Sequence, residues 1–237
     1  IEHDTLTQDQ ALAVLATAAK RPDGARWATS LLTGARVGEV LGMEWDRTLI
    51  AGDDPRIILS WQLQRLTWEH GCGGTCGYKR AGSCPDRHLD VPADFEHRQA
   101  HGGLRLVRPK TKKGYRVVPL VDPLLSVLDR HHERSGRPTS GLVFTSGDRP
   151  VDPDEDYQAW LELLREAGVP RIRRHDARHT AATLLLALGV DTHVIAQILG
   201  HSSVVTTRAY QHVNLELARE AMSRLGAHLT PQLEEAT

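Results

Sequence analysis

The feature that most limits the possible folds is a series of short amphipathic helical segments, several of which stop at a glycine. In the segment TQDQALAVLATAAK, apolar residues recur at helical spacing after Thr7, the expected N-cap, and a Pro-Asp-Gly turn follows. Later helical segments stop at Gly34, Gly189 and Gly200. Helices with one apolar face must bury that face against neighbouring elements, so a mostly helical domain is predicted.

Strand patterns are few. The β-branched start of residues 56–68 predicts a strand, and residues 142–144 a short one. The segments 104–107 and 115–120, on either side of PKTKKG, are predicted to pair as a hairpin. The fold class is therefore mostly α with a small antiparallel β-sheet (α+β). The predicted helices cover residues 7–20, 25–32, 37–46, 123–135, 153–167, 177–188, 192–199 and 215–225.

Composition excludes several classes of protein. No stretch approaches the roughly 20 apolar residues of a membrane helix, and no secretory signal is present, so a cytoplasmic protein without membrane contact is expected. The net charge of −1 gives little support for a nucleic-acid partner, because many nucleic-acid-binding domains are strongly basic. Basic residues are nevertheless clustered, in 105–116 and in 171–174, and local fields matter more than the total. Either cluster has the alternative interpretation of a solvated face.

Residues 70–102, here called the insertion, interrupt the pattern with many Gly, Cys, Pro and His residues. All the cysteines of the chain lie here, and an odd number favours metal binding over a disulfide framework. Three thiolates and one imidazole would complete a tetrahedral structural zinc site. The alternative is three free thiols in a loop. The predicted ligands are Cys72, Cys76, Cys84 and His70, with His88 as the rival to His70.

Three short motifs and one tyrosine carry the chemical information. ARVGE contains Arg36, HDAR contains His175 and Arg178, LGHSS contains His201, and Tyr210 lies nine residues beyond that histidine. Each alone has an ordinary explanation, because a helix-start His-Arg pair is usually a cap or surface pair and a single tyrosine usually packs in the core. Together, in this order, they resemble the tyrosine recombinase family over about residues 7–213, apart from the insertion.

The resemblance implies a catalytic role for each of these residues. Arg36 and Arg178 would offer planar, permanently charged groups to the phosphate oxygens on which negative charge develops. Tyr210 would be the nucleophile that forms a covalent 3′-phosphotyrosine, His175 the proton acceptor or orienting group, and His201 a hydrogen-bond donor to the same phosphate. Because the covalent link keeps the energy of the phosphodiester, no catalytic cofactor is expected.

The family also places a lysine general acid on a β-hairpin. The P-K-T sequence points to Lys110, with Lys112, Lys113 and Arg116 as sequence-independent DNA contacts. Glu39 in ARVGE is interpreted as a residue that orients active-site groups, or alternatively as an acid on the helix surface.

The resemblance finally implies a domain organisation and partners. Residues 1–237 would form a catalytic domain with a C-terminal helix and tail at about 211–237, and an upstream DNA-clamping domain is expected to be absent from this sequence. The implied activity is that of an integrase of a mobile element, acting on duplex DNA as a homotetramer. The alternatives are a type IB-like topoisomerase and a zinc-stabilised DNA-binding protein without catalysis.

Overall fold

A computed structural model of the chain describes residues 5–109, 115–200 and 215–234. Most of these residues lie in helices or in loops between them. None of the helices in the described ranges combines the length and the apolar character needed to cross a bilayer. The α-helices are α1 (Gln8–Ala19), α2 (Gly24–Thr33), α3 (Val37–Leu41), α4 (Leu124–Arg134), α5 (Pro153–Glu166), α6 (Asp176–Ala187), α7 (Thr192–Leu199) and α8 (Leu215–Glu234).

Local sequence sets the ends of these helices. Thr7 and Gln10 form a capping box at the start of α1, as the sequence predicts for Thr7. Asp191 caps α7 through its side chain. Gly34 and Gly200 end α2 and α7 in the left-handed conformation that glycine adopts without strain.

The core is organised around α2, in which every residue from Gly24 to Thr33 is buried. This helix contacts α1, α4, α6 and α8. At its centre Trp27 packs against Trp160 of α5, with ring centroids 5.7 Å apart. The described residues form a group of packed helices in contact with small antiparallel sheets. The predicted fold class, mostly α with a small antiparallel β-sheet, is confirmed.

The sheets are short and antiparallel. One has the order β1 (Thr48–Leu49), β2 (Arg56–Leu59), β8 (Arg116–Pro119). A second has the order β3 (Gln62–Arg65), β7 (Leu104–Val107), β6 (His97–His101). Two-stranded pairs join β4 (Trp68–Glu69) with β5 (His88–Leu89), and β9 (Thr145–Ser146) with β10 (Arg149–Pro150).

Three strand predictions need correction. The single strand predicted at 56–68 is divided into β2, β3 and β4, which belong to three different sheets. The hairpin of 104–107 with 115–120 is wrong, because β7 pairs with β3 and β6 while β8 pairs with β2. Residues 142–144 contribute an isolated bridge between Leu142 and Glu44 rather than a strand. In each case, pairing with distant segments decides the outcome.

The third helix is also shorter than predicted. It ends at Leu41 rather than near Asp46. After Gly42 the chain turns to pair with the segment before β9, where the backbone N–H of Val143 donates to the carbonyl of Met43 at 2.8 Å. A Cβ at Gly42 would lie 2.7 Å from the backbone nitrogen of Leu63, so the chain passes too close to β3 for a side chain.

Candidate active site

The link between α2 and α3 positions Arg36. Gly34, with a φ of 60°, leaves no room for a side chain, because a Cβ there would lie 2.2 Å from Cδ2 of Leu199 and 3.2 Å from Cβ of Ala181. The end of α2 is thus pressed against both α6 and α7. Arg36, two residues later, is the N-cap of α3 and lies where these helices meet.

Glu39 is a buried carboxylate that connects two arginines. It accepts hydrogen bonds from Nη1 of Arg36 at 2.9 Å and from the backbone N–H of the same residue at 2.7 Å. Nη1 and Nη2 of Arg116 each donate to it at 2.9 Å, in a bidentate pair. Both arginines also reach the end of α7, where Arg116 donates to the carbonyl of Ile198 and Arg36 to that of Gly200. The network ties α3, β8 and α7 together.

The arginines keep Glu39 ionised. Burial by itself would raise the pKa of this carboxyl, but the hydrogen bonds and charge of Arg116 act against it. The backbone N–H and charge of Arg36 act in the same direction, and the pKa falls below its ordinary value. A negative Glu39 fixes the orientation of the Arg36 side chain, which is the role that the sequence interpretation gave to it.

Arg178 enters the same place from α6. Its Nη1 donates to the carbonyl of Gly34 at 2.9 Å, and its buried Nη2 has no hydrogen-bond acceptor among the described residues. Burial, followed by the positive charges of Arg36 and Arg116, lowers the pKa of Arg178 to about 10, with Glu39 opposing. We call Arg36, Glu39, Arg116 and Arg178 the arginine site. Its excess of positive charge makes it suited to an anion.

His175 lies one turn before Arg178, at the N-cap of α6. Its side chain is exposed, and its ring meets that of His179 edge-on, with centroids 5.4 Å apart. Desolvation by its surroundings and the neighbouring His179 and Arg178 lower the pKa of His175 below its ordinary value of 6.5. A histidine with a lowered pKa is neutral near pH 7, as a proton acceptor must be.

The structure brings together the predicted residues that it describes at this site. Arg36, Arg178 and His175 converge at the junction of α3, α6 and α7, although 139 positions separate Arg36 from His175 in the sequence. The remaining predicted catalytic residues and the lysines predicted to contact DNA lie outside the described residues: Lys110, Lys112, Lys113, His201 and Tyr210.

Arg116 was predicted to contact DNA, and its position does not fit that role. The residue is 6% exposed and both of its Nη groups donate to Glu39. It therefore supports Arg36 through Glu39 and is too deeply buried to contact a phosphate at the surface. The strand pattern contained an indication of this, because Arg116 shares a face of β8 with the fully buried Val118.

Part of the second basic cluster also serves the fold. Arg174 is buried, donating to Asp156 at 2.9 Å and to the hydroxyl of Ser30. Nε of Arg26 lies 3.0 Å from the other oxygen of Asp156, in an ion pair that is not aligned as a hydrogen bond. These contacts join α2 and α5 to the segment that leads into His175.

The predicted metal ligands also lie close together, in a second site that shares no residue with the arginine site. Ligand atoms of His70, Cys72, Cys76 and Cys84 all lie within 4.8 Å of one another, and we call these residues the cysteine cluster. His88, the rival fourth ligand, is 3.3 Å from Glu69 instead.

Comparison with known proteins gives the same family for the sequence. The phage integrase family matches residues 93–216, which is more than half of the chain. An integrase of Saccharopolyspora erythraea is 33% identical over 243 residues, covering 91% of this chain and 55% of the relative. The chain thus spans about half the length of the curated relatives it matches.

Solved structures show a similar fold. The crystal structure of XerA recombinase has a TM-score of 0.59 at 21% identity, over 93% of this chain and 63% of its own. The Tn1549 transposon integrase in complex with circular intermediate DNA has a TM-score of 0.61 at 18% identity, over 95% of this chain and 68% of its own.

Proposed function

Because this chain belongs to the phage integrase family, we propose that it is the catalytic part of a site-specific recombinase that cuts and rejoins duplex DNA. The observation that carries the proposal is the buried Nη2 group of Arg178, which has no acceptor among the described residues. An unpaired buried donor is costly, at about 1–3 kcal/mol and more for a charged group. A phosphate oxygen at this position would remove that cost.

The charge of the arginine site suits a phosphodiester. Attack on phosphorus builds negative charge on the non-bridging oxygens, and fixed cations aimed at that charge stabilise the transition state. Arg36 is held by Glu39 and the carbonyl of Gly200, while Arg178 is held by the carbonyl of Gly34. Neither guanidinium has to reorganise much as the charge develops.

The nucleophile and the remaining proton transfers are assigned by family resemblance. The phenolic oxygen of Tyr210 bonds to phosphorus as the bond from phosphorus to the 5′-oxygen breaks. His175 takes the phenolic proton, Lys110 supplies one to the departing 5′-oxygen, and His201 donates a hydrogen bond to the phosphate. Attack by a 5′-hydroxyl reverses the step, so rejoining consumes no nucleotide and needs no catalytic metal.

The wider function is proposed on the same basis. The similar Tn1549 integrase is a transposon protein that was solved with circular intermediate DNA. We place this chain in the same class, as the integrase of a mobile element that acts on duplex DNA, with Lys112 and Lys113 as further DNA contacts. The DNA-bound homotetramer follows from the family resemblance.

A covalent-adduct assay tests the proposal. The full-length protein is incubated with a nicked suicide substrate that carries an end of its mobile element, and denaturing electrophoresis detects a protein–DNA adduct. Tyr210→Phe should abolish the adduct, while Tyr78→Phe, at an exposed tyrosine of the insertion, should leave it unchanged.

Each alternative function gives a different result. A folded, DNA-bound wild type that forms no adduct would identify a binding protein without catalysis. Relaxation of supercoiled plasmids that lack the element's ends would identify a topoisomerase. Both results would overturn the proposal of a site-specific recombinase.

A further inference from the structure

The insertion lacks an apolar core of its own. In residues 69–103, all of which the structure describes, Cys84 is the one buried apolar side chain. It contains β5, which pairs with β4 just before the insertion, the single turn at Ala81–Ser83, and β6, which pairs with β7 just after the insertion. A segment of this length with so few buried apolar side chains is uncommon in a compact domain unless something else holds it.

We propose that the cysteine cluster binds one structural zinc ion. With Zn–S bonds of about 2.3 Å and Zn–N bonds of about 2.0–2.1 Å, a tetrahedral site places its ligand atoms about 3.5–3.8 Å apart. Nδ1 of His70 lies 3.8 Å from Sγ of Cys72 and 3.4 Å from Sγ of Cys76. With all four atoms within 4.8 Å of one another, small side-chain movements complete the tetrahedron.

The backbone brings the two ends of the cluster close together. The N–H of Gly71 donates to the carbonyl of Asp86 at 3.1 Å, and a Cβ at Gly71 would lie 2.1 Å from that oxygen. A glycine is therefore required where the segment carrying His70 and Cys72 meets the segment that follows Cys84. Between them Thr75 closes a turn onto the carbonyl of Cys72 through its N–H and its hydroxyl.

The ligand types select the metal. Three thiolates and one imidazole suit zinc, whereas magnesium and calcium prefer oxygen ligands. Four protein ligands leave no open position for water or substrate, so the ion would be structural. The free thiols of all three cysteines are available to it. The fourth ligand would be His70, because its ring nitrogen lies close to the three sulfur atoms, whereas His88 lies beside Glu69.

The ion would hold the insertion against the rest of the protein. β6 follows the cluster and pairs with β7, the strand that leads toward residue 110. Arg98 of β6 donates to Glu44 at 2.6 Å and lies 4.1 Å from the ring centroid of Trp61. Zinc binding would therefore stabilise the outer strand of the β3–β7–β6 sheet, whether or not the protein is a recombinase.

Metal analysis of the full-length protein tests the proposal. Elemental analysis after dialysis should find one zinc ion per chain, and cobalt substitution should give the thiolate charge-transfer and intense visible bands of tetrahedral Co²⁺. Cys76→Ser should lower zinc affinity by more than the roughly 10–100-fold typical of losing an outer-shell partner. His88→Gln is the matched control and should keep the full zinc content.

Two outcomes would overturn it. The wild-type protein could be isolated from zinc-supplemented medium with far less than one equivalent of zinc, a result that does not depend on any variant folding. Alternatively, His88→Gln could lose the metal while His70→Gln keeps it. Because zinc content and strand cleavage are measured separately, failure of one leaves the other proposal standing.

Discussion

The arginine site and the cysteine cluster both hold reactive groups in fixed positions, but in contrasting surroundings. At the arginine site, packed helices press Gly34 against Leu199, and buried Glu39 orients Arg36 and Arg116. In the insertion most side chains other than the four ligands are exposed, and we propose that the ligands are positioned by a metal ion. A core fixes charged groups by excluding water, whereas a small exposed segment needs a strong local bond.

The largest expected effect comes from removing the buried carboxylate. Glu39→Gln should lower the free energy of unfolding by about 3–5 kcal/mol, because Arg116 would be left buried without a counter-charge. Denaturant unfolding measures the change. Glu220→Gln, at an exposed acid of α8 paired with Arg224, is the control and should cost at most about 1 kcal/mol. Equal effects of the two substitutions would contradict the difference between buried and exposed charges.

The same residue predicts a pH dependence. Since the folded state lowers the pKa of Glu39, the stability contributed by its ionised form is fully present above its ordinary pKa of 4.5. That stability is lost as the pH falls through the lowered folded-state pKa. The gap in unfolding free energy between wild type and Glu39→Gln should therefore be constant near neutrality and shrink in acid. A difference in unfolding free energy that increases in acid would show that the folded state raises the pKa of Glu39 instead of lowering it.

The next prediction concerns Arg178 and compares the rate of adduct formation with the affinity for DNA. If the proposed function is right, Arg178→Lys should slow adduct formation by about 10²–10³-fold, the loss typical of removing one preorganised donor. Gel-shift binding should change little, because one phosphate contact among several is altered. Arg224→Lys, at an exposed residue of α8, is the control. Adduct formation at the wild-type rate would remove Arg178 from the catalytic group.

Metal removal should act on the other region. Chelation of zinc should make the insertion at least about tenfold more sensitive to limited proteolysis, with the cuts confined to residues 70–102. The helical core should stay protected, because its buried residues lie outside the insertion. Mass spectrometry of the fragments locates the cuts. Protection that is the same with and without zinc would contradict a structural role for the ion.

The smallest effect tests the contact between the insertion and the body of the protein. Arg98→Met removes the ion pair with Glu44 and the cation–π contact with Trp61, and should cost about 1 kcal/mol because the side chain is half exposed. Hydrogen exchange in β6 should become faster. Arg80→Met, an exposed change elsewhere in the insertion, should leave β6 unchanged.

Much of this arrangement was predictable because it depends on local sequence. Thr7 and Gly34 set helix ends through short-range capping, and these are the positions where prediction and structure agree best. Arg36, His175 and Arg178 came from short motifs that resemble those of the tyrosine recombinase family. His70 and the cysteines followed from the ligand preferences of zinc and converge in the structure.

What could not be predicted depends on contacts between distant segments. The burial of Arg116 is possible because Glu39, 77 positions away, supplies both acceptors. The separation of β7 from β8 reflects their pairing with different parts of residues 56–65. β6 has the mostly polar sequence HRQAH. Because this sequence shows no alternation of apolar and polar residues, it gave no indication of a strand that pairs with β7.

The packing of Gly34 has a consequence for genetic screens. The residue carries no charge and takes part in no proton transfer, yet its carbonyl accepts from Arg178 and its missing Cβ lets Leu199 approach. A methyl group there would act as a wedge between three helices and spread the two guanidinium groups. A collection of inactive variants should therefore include Gly34→Ala together with substitutions of the arginines. Gly34→Ala would inactivate the protein by displacing the arginines, whereas the other substitutions remove their charged groups.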